Sequence, residues 1–226
     1  MTQALSPLVE SDDLLLFTSP VGPFAMNQSL LACKKTGEAV IIDAGEPPHR
    51  FLDAARLHKL TIKAVLQTHA HIDHVAGLGP TVEAIPVPVY LHAADLPVYR
   101  FVPQQAQLYG FPVPPLPEIE HLYEDGDTFT LGELQLEVIH SPGHSPGHVC
   151  LYAQKQGLLI GGDLLFRGSI GRTDLPLCDP QAMGVSLKRI FTLPDPTLVI
   201  PGHGEPTTIG HERASNWIAK QVMQGS

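Results

Sequence analysis

The stretch THAHIDHVAG, residues 68 to 77, places His69, His71, Asp73 and His74 within six consecutive positions, directly after the apolar run KAVLQ. Neutral imidazole nitrogens and carboxylate oxygens together suit a divalent transition metal, zinc first, with iron and manganese as alternatives. If the backbone is extended at His69 and His71, their rings fall on one side and grip one ion. Asp73 and His74 then enter a turn or a first helical turn and face a second.

Three later segments repeat the theme. HSPGHSPGH, residues 140 to 148, offers His140, His144 and His148 around two Pro-Gly turns, and spacing alone does not choose between His144 and His148. GGDLLF places Asp163 at the end of an apolar run, where a carboxylate must be solvated or paired with cations. PGHGEP places His203 after TLVI in the same topological position. An apolar strand followed at once by a ligand-type residue is what a site at the edge of a sheet requires.

The elements that must position these groups follow from pattern. LLLFTS (14–19), SLLAC (29–33), EAVIIDAG (38–45), IKAVLQ (62–67) and VPVYLH (87–92) read as strands, with KKTG as a hairpin turn. Apolar residues at helical spacing predict a helix from His49 to Leu60 and another from Val75 to Ala84. Further strands are expected in 128–140, 149–154, 157–163 and 197–203, and helices over 180–191 and 208–222, the last with Trp217, Ile218 and Val222 on its apolar side. Residues 103–118 carry five prolines and predict an extended surface loop. That loop, Leu164 to Phe166 and Tyr109 to Val113 are the segments that could roof a pocket. Alternating strands and helices in two halves predict an α/β fold of two sheets between helices, as a single domain over 1–226.

Composition narrows the function classes. The chain has 226 residues, 43% hydrophobic and 16% charged, enough apolar material for a packed core. A formal charge of −9 without a basic stretch argues against nucleic acid as partner. The opening residues lack a basic region before their short apolar run LLLF, and no run reaches membrane-spanning length, so a cytoplasmic location is expected. Cys33, Cys150 and Cys178 are odd in number and widely spaced, which argues against a disulfide framework and for ordinary packed thiols.

The order HxHxDH, then His, then Asp, then His resembles the metallo-β-lactamase superfamily of dinuclear hydrolases, from NQSLLACKKTGEAVIIDAG to PGHG. The resemblance implies an αββα four-layer sandwich. It also implies two metal ions, one held by His69, His71 and His144, the other by Asp73, His74 and His203, with Asp163 bridging. His148 would be a supporting histidine. In such a site two ions acidify a shared water and polarise the carbonyl, with Asp73 and Asp163 as the catalytic carboxylates.

HSPGHSPGHVCLY, GGDLLFRGSIGRTD and VIPGHGEPTTIGHERASN are most similar to the short bacterial form of glyoxalase II, which implies a thioesterase hydrolysing S-lactoylglutathione to lactate and glutathione. Arg172 matches the position that contacts a glutathione carboxylate, or else pairs with Asp174. The chain departs from that pattern after His203, where GEPTTIG replaces a tyrosine and a helical domain, and at Asp174, where the family has an aromatic residue. A mono-iron persulfide dioxygenase, which shares the GRTD loop, and a hydrolase of another ester, lactone or acyl thioester are the alternatives. In each case the partner is a small molecule.

Overall fold

The structure, a computed structural model, describes residues 5–111 and 115–226. A first sheet carries seven strands in sequence order: β1 (Val9–Glu10), β2 (Leu14–Val21), β3 (Met26–Cys33), β4 (Glu38–Ile42), β5 (Thr61–Leu66), β6 (Val89–His92) and β7 (His121–Tyr123). The first four are antiparallel, joined by tight turns, and the rest are parallel. Parallel neighbours need crossovers. These are α1 (His49–Leu57), then α2 (Ile72–Val75) with α3 (Leu78–Ala84), then α4 (Leu96–Arg100) with α5 (Val102–Tyr109).

The second sheet holds β8 (Thr128–Leu131), β9 (Leu134–His140), β10 (Val149–Ala153) and β11 (Leu158–Gly162) as a meander. A two-stranded ribbon, β12 (Leu165–Phe166) and β13 (Ser169–Ile170), and helix α6 (Pro180–Ile190) follow. β14 (Leu198–Pro201) then returns parallel to β11 and pairs with β15 (Thr207–Thr208), before α7 (Ile209–Ser215) and α8 (Trp217–Gln224).

Side-chain alternation explains the layering. Leu14, Leu16, Leu31, Val40 and Leu66 face the second sheet and pack on Leu136, Val138, Leu151 and Ile160. Their neighbours Leu15, Phe17, Leu30, Ile41 and Val65 face the other way, onto Phe51, Ala54 and Leu78 of the helices. On the far side, Ile139, Tyr152 and Leu159 pack against Met183, Leu187 and Ile190 of α6. Strands buried on both faces read as continuous apolar runs. The result is helix, sheet, sheet, helix, the predicted αββα sandwich. Among the described residues no helix is long and apolar enough to cross a membrane.

Three expectations are corrected. The proline-rich stretch is helical over Val102–Tyr109: Pro103 lies in the first turn, where its missing N–H costs nothing, and Gly110 closes the helix in the left-handed region at φ 70°. Residues 112–114 of that predicted loop, including Val113 of the predicted roof, lie outside the described residues. The helix expected over 208–222 is two, because Asn216 leaves helical geometry and its side chain accepts from Ala219 N–H to start α8. Trp217 is 66% exposed, and Ala219 takes the buried place expected of it. The helix expected from Val75 begins earlier, at Ile72, and is interrupted at Gly77.

Candidate metal centre

The C-terminal ends of β5, β11 and β14 lie at one edge of the sandwich, and each is followed by donor residues. After β5 the chain is still extended at His71 (φ −66°, ψ 151°), then turns into α2, which carries Asp73 and His74. The loop from β9 to β10 carries His144. Asp163 follows Gly162, and His203 follows Pro201. The two sheets are tied here by Val149 N–H donating to Thr68 C=O at 2.8 Å and Asn27 N–H donating to Gly202 C=O at 2.7 Å.

All seven predicted donors are brought together. They form three overlapping groups: His69, His71 and His144; His69, His74 and Asp163; Asp73, His74 and His203. His71 Nδ1 is 2.8 Å from His144 Nε2. Asp163 stands between the groups, 3.4 Å from both His74 Nε2 and His144 Nε2 and 3.5 Å from His203 Nε2. Asp73 lies 3.2 Å from His203 Nε2.

Hydrogen bonds on the outer nitrogens aim the inner ones. Asp43 accepts from Thr68 N–H at 2.7 Å, from Thr68 Oγ1 at 2.8 Å and from His74 Nδ1 at 3.0 Å. With its proton given to Asp43, Thr68 Oγ1 accepts from His69 Nδ1 at 3.1 Å. His144 Nδ1 bonds to Arg172 C=O at 2.8 Å and His203 Nδ1 to Phe24 C=O at 3.1 Å. In each of these four rings the outer Nδ1 is engaged and Nε2 faces the site, the arrangement by which outer partners fix metal-binding histidines.

His148 has the supporting place the resemblance gave it. Its Nε2 accepts from Asp163 N–H at 3.0 Å, and its Nδ1 bonds to Ser141 Oγ at 2.9 Å. Gly162 makes this contact possible: it sits at φ 48°, and a β-carbon there would come within 2.5 Å of His148 Nε2. His140 is elsewhere, stacked on His92 with ring centres 4.1 Å apart.

The donor set fits divalent cations. His69 Nε2, His74 Nε2 and Asp163 Oδ1 are buried without a hydrogen-bond partner, a costly state for polar atoms and one that a cation relieves. The electrostatics agree. Burial, reinforced by neighbouring imidazoles, pushes His69 well below its ordinary pKa and His71 down to about 3. Burial would raise Asp163, yet His74, His144 and His203 hold it below the usual carboxylate range. His74 is carried well above its ordinary value by Asp43, Asp163 and Asp73 against the opposing pull of burial.

Two residues outside the predicted set organise the site. Asp43 holds a left-handed backbone at φ 54°, an uncommon conformation for a non-glycine residue. Its signal was present in EAVIIDAG, an apolar strand ending in a carboxylate. Asp95, fully buried, accepts from Ala70 N–H at 2.7 Å, Ser145 Oγ at 3.0 Å and Gly147 N–H at 2.6 Å, pinning the His69–His71 loop to the His144 loop. Nothing in YLHAADLP marks that role.

Over the donors lies a groove of about 440 Å³ bordered by Phe24, Tyr109, Phe166, Ser169 and Arg172. Of the predicted roof, Tyr109 and Phe166 face this groove and Leu164 is wholly buried. The Arg172 guanidinium makes two bonds to Asp174, at 2.7 and 2.9 Å, and both side chains are exposed. The cysteines are unpaired, with Cys33 and Cys150 buried and Cys178 half-buried.

Comparison with known proteins agrees with this geometry. The family model described as Metallo-beta-lactamase superfamily matches residues 21–203. A probable metallo-hydrolase, YqgX of Bacillus subtilis (strain 168), is 36% identical over 87% of this chain and 93% of its own. The hydroxyacylglutathione hydrolase GloC of Haemophilus influenzae is 33% identical over 87% of this chain and 94% of its own. Among solved structures, TTHA1623 in a di-iron-bound form superposes with a TM-score of 0.81 at 42% identity, covering 88% of this chain and 98% of that one. BLEG-1, a B3 metallo-beta-lactamase, gives 0.82 at 36%, covering 89% and 97%. ETHE1 from Myxococcus xanthus gives 0.75 at 25%, covering 92% and 87%. The family model spans most of the chain and both sheets, so the protein belongs to the metallo-beta-lactamase superfamily.

Proposed function

We propose that the protein is a cytoplasmic metal-dependent thioesterase that hydrolyses S-lactoylglutathione to lactate and glutathione. The observation that carries the reading is the convergence of seven donors, three with orphaned buried atoms, beneath one open groove. The likeness to GloC supports the thioester class.

Two divalent cations, zinc first, with iron or manganese as alternatives, would supply an acidified water and polarise the carbonyl under attack. His69, His71 and His144 would hold one; Asp73, His74 and His203 would hold the other. Asp163, kept ionised, lies between the two groups. Asp73 is the more open of the two catalytic carboxylates, its side chain 18% exposed against 9% for Asp163, and it borders the groove. A thiolate is a good leaving group and needs little acid assistance.

Arg172 receives a carboxylate of the thiol arm. Its pair with Asp174 is exposed, and exposed ion pairs are weak, so an incoming carboxylate displaces Asp174 at small cost. The second reading, a mono-iron persulfide dioxygenase, is favoured by the GRTD loop at Gly171 to Asp174.

The test is a panel on protein of measured metal content: lactoylglutathione, acyl-CoA, a lactone and a β-lactam, with oxygen uptake on glutathione persulfide. Lactoylglutathione should be turned over at least as well as the others. Oxygen uptake with one iron per chain and no thioesterase activity would replace the first reading by the second.

A further inference from the structure

Beside the groove lies a second recess of about 320 Å³, walled by Pro97, Val98, Phe101, Leu108 and Leu177 from α4, α5 and the loop that precedes α6. His71, Gln105, Tyr109 and Leu175 border both spaces, so the recess opens directly off a metal donor. Gln105 is partly engaged already, its Oε1 accepting from Ile72 N–H at 3.3 Å. Apart from His71, Gln105 and Tyr109, the recess is lined by hydrocarbon side chains.

Ten large apolar side chains are exposed among the described residues, and four of them, Phe101, Leu108, Tyr109 and Leu177, surround this one recess. Single exposed apolar residues are ordinary, but a cluster beside a reactive centre marks a binding surface. Leu177 adds strain to exposure: it is 59% accessible and holds a left-handed backbone at φ 69°. For a bulky residue that conformation is uncommon, and strain of this kind gathers at ligand-binding positions.

A thioester has two arms, and the two spaces differ in the same way. The groove offers Ser169 and Arg172 beside the donor carboxylates, and suits a charged, peptide-like thiol. The acyl arm must then leave the reacting carbonyl past His71, into the recess. We infer that the recess is an acyl-chain subsite, and that the enzyme's substrate class extends from the short hydroxyacyl group to thioesters with straight-chain apolar acyl groups. This inference rests on the thioesterase reading for the identity of the arm, and on the shape and lining of the recess for its chemistry.

The test uses the full-length, metal-loaded protein and a series of S-acylglutathiones from acetyl through butyryl and hexanoyl to octanoyl. Each buried methylene should raise kcat/KM by about fourfold until the recess is filled. Leu108→Glu and Leu177→Glu alter side chains that are already exposed, so the fold tolerates them, and both should flatten the series. Calorimetric titration with octanoate and acetate reads the subsite without turnover: octanoate should bind at least tenfold more tightly, and Leu177→Glu should erase the difference. Equal binding of octanoate and acetate, or a flat series in the unaltered protein, overturns the subsite. If no thioester is hydrolysed while octanoate is still preferred, the thioesterase reading fails and the apolar subsite stands.

Discussion

Asp163 and Asp43 are both buried carboxylates at the end of an apolar strand, and their partners give them different work. Asp163 has an orphaned oxygen facing the donors, so Asp163→Ala removes the carboxylate that lies between His74, His144 and His203. Hydrolysis should fall by roughly 10³-fold or more, measured as kcat/KM on lactoylglutathione with metal content recorded in parallel. Asp43 touches no cation position but fixes the ring of His74. Asp43→Asn keeps an acceptor for Thr68 yet removes the charge behind His74, and should weaken one of the two metal sites about 10- to 100-fold in a competition titration. Equal loss at both sites would mean that Asp43 supports the loop rather than that ring. The sequence made Asp163 legible because the run GGD ends in a group with no local partner. Asp43 carries the same pattern, but its partners Thr68 and His74 are 25 and 31 positions away. His144 and His148 were inseparable by spacing for a similar reason: what distinguishes them is the Asp163 N–H that His148 accepts across the fold.

At the scale of elements, the strands and the αββα order were legible because burial on both faces leaves an unbroken apolar run. Pattern and structure differ where one residue decides an element. Pro103 is harmless in a first helical turn, so a proline-rich stretch still holds α5, and Asn216 starts a second helix within one continuous apolar periodicity. Asp95 was invisible because its three donors lie in two loops remote in sequence. Burial pushes its pKa up, while Gly147 and Ala70 N–H and the Ser145 hydroxyl pull it back. Asp95→Ala strands three buried donors at once. Since a buried donor left unmade costs about 1–3 kcal/mol, the variant should lose about 3 kcal/mol or more, seen as a Tm lower by roughly 6–12 °C. Asp95→Asn keeps acceptor capacity at one oxygen and should lose less. Matching losses from the two variants would place the effect in the carboxylate charge instead of the hydrogen bonds.

For the whole molecule, the donors divide between the two halves: residues 69 to 74 follow the first sheet, while His144, Asp163 and His203 belong to the second. The sheets share an apolar interior, but at this edge few backbone bonds cross between them. Cations that bind only the assembled edge therefore act as a clamp on the fold. With free cation at 100 times its Kd, binding contributes about 2.7 kcal/mol, which for a chain of this size raises Tm by roughly 5–10 °C. Chelation at neutral pH should lower Tm by that amount, and readdition of metal should restore it. The pH dependence has a definite sign. Without cations, His74 and His203 have pKa values above the ordinary histidine value, His74 through Asp43 and His203 through Asp73, each against the pull of burial. Their protons stabilise the metal-free fold fully below about pH 6.5, and that contribution fades as pH rises through the raised folded values. Cations occupy the same nitrogens only once those protons leave, so the Tm gap between loaded and stripped protein should widen from pH 5 to pH 8. A gap that is constant across that range, with metal loss verified at each pH, would show that the clamp does not run through these imidazoles.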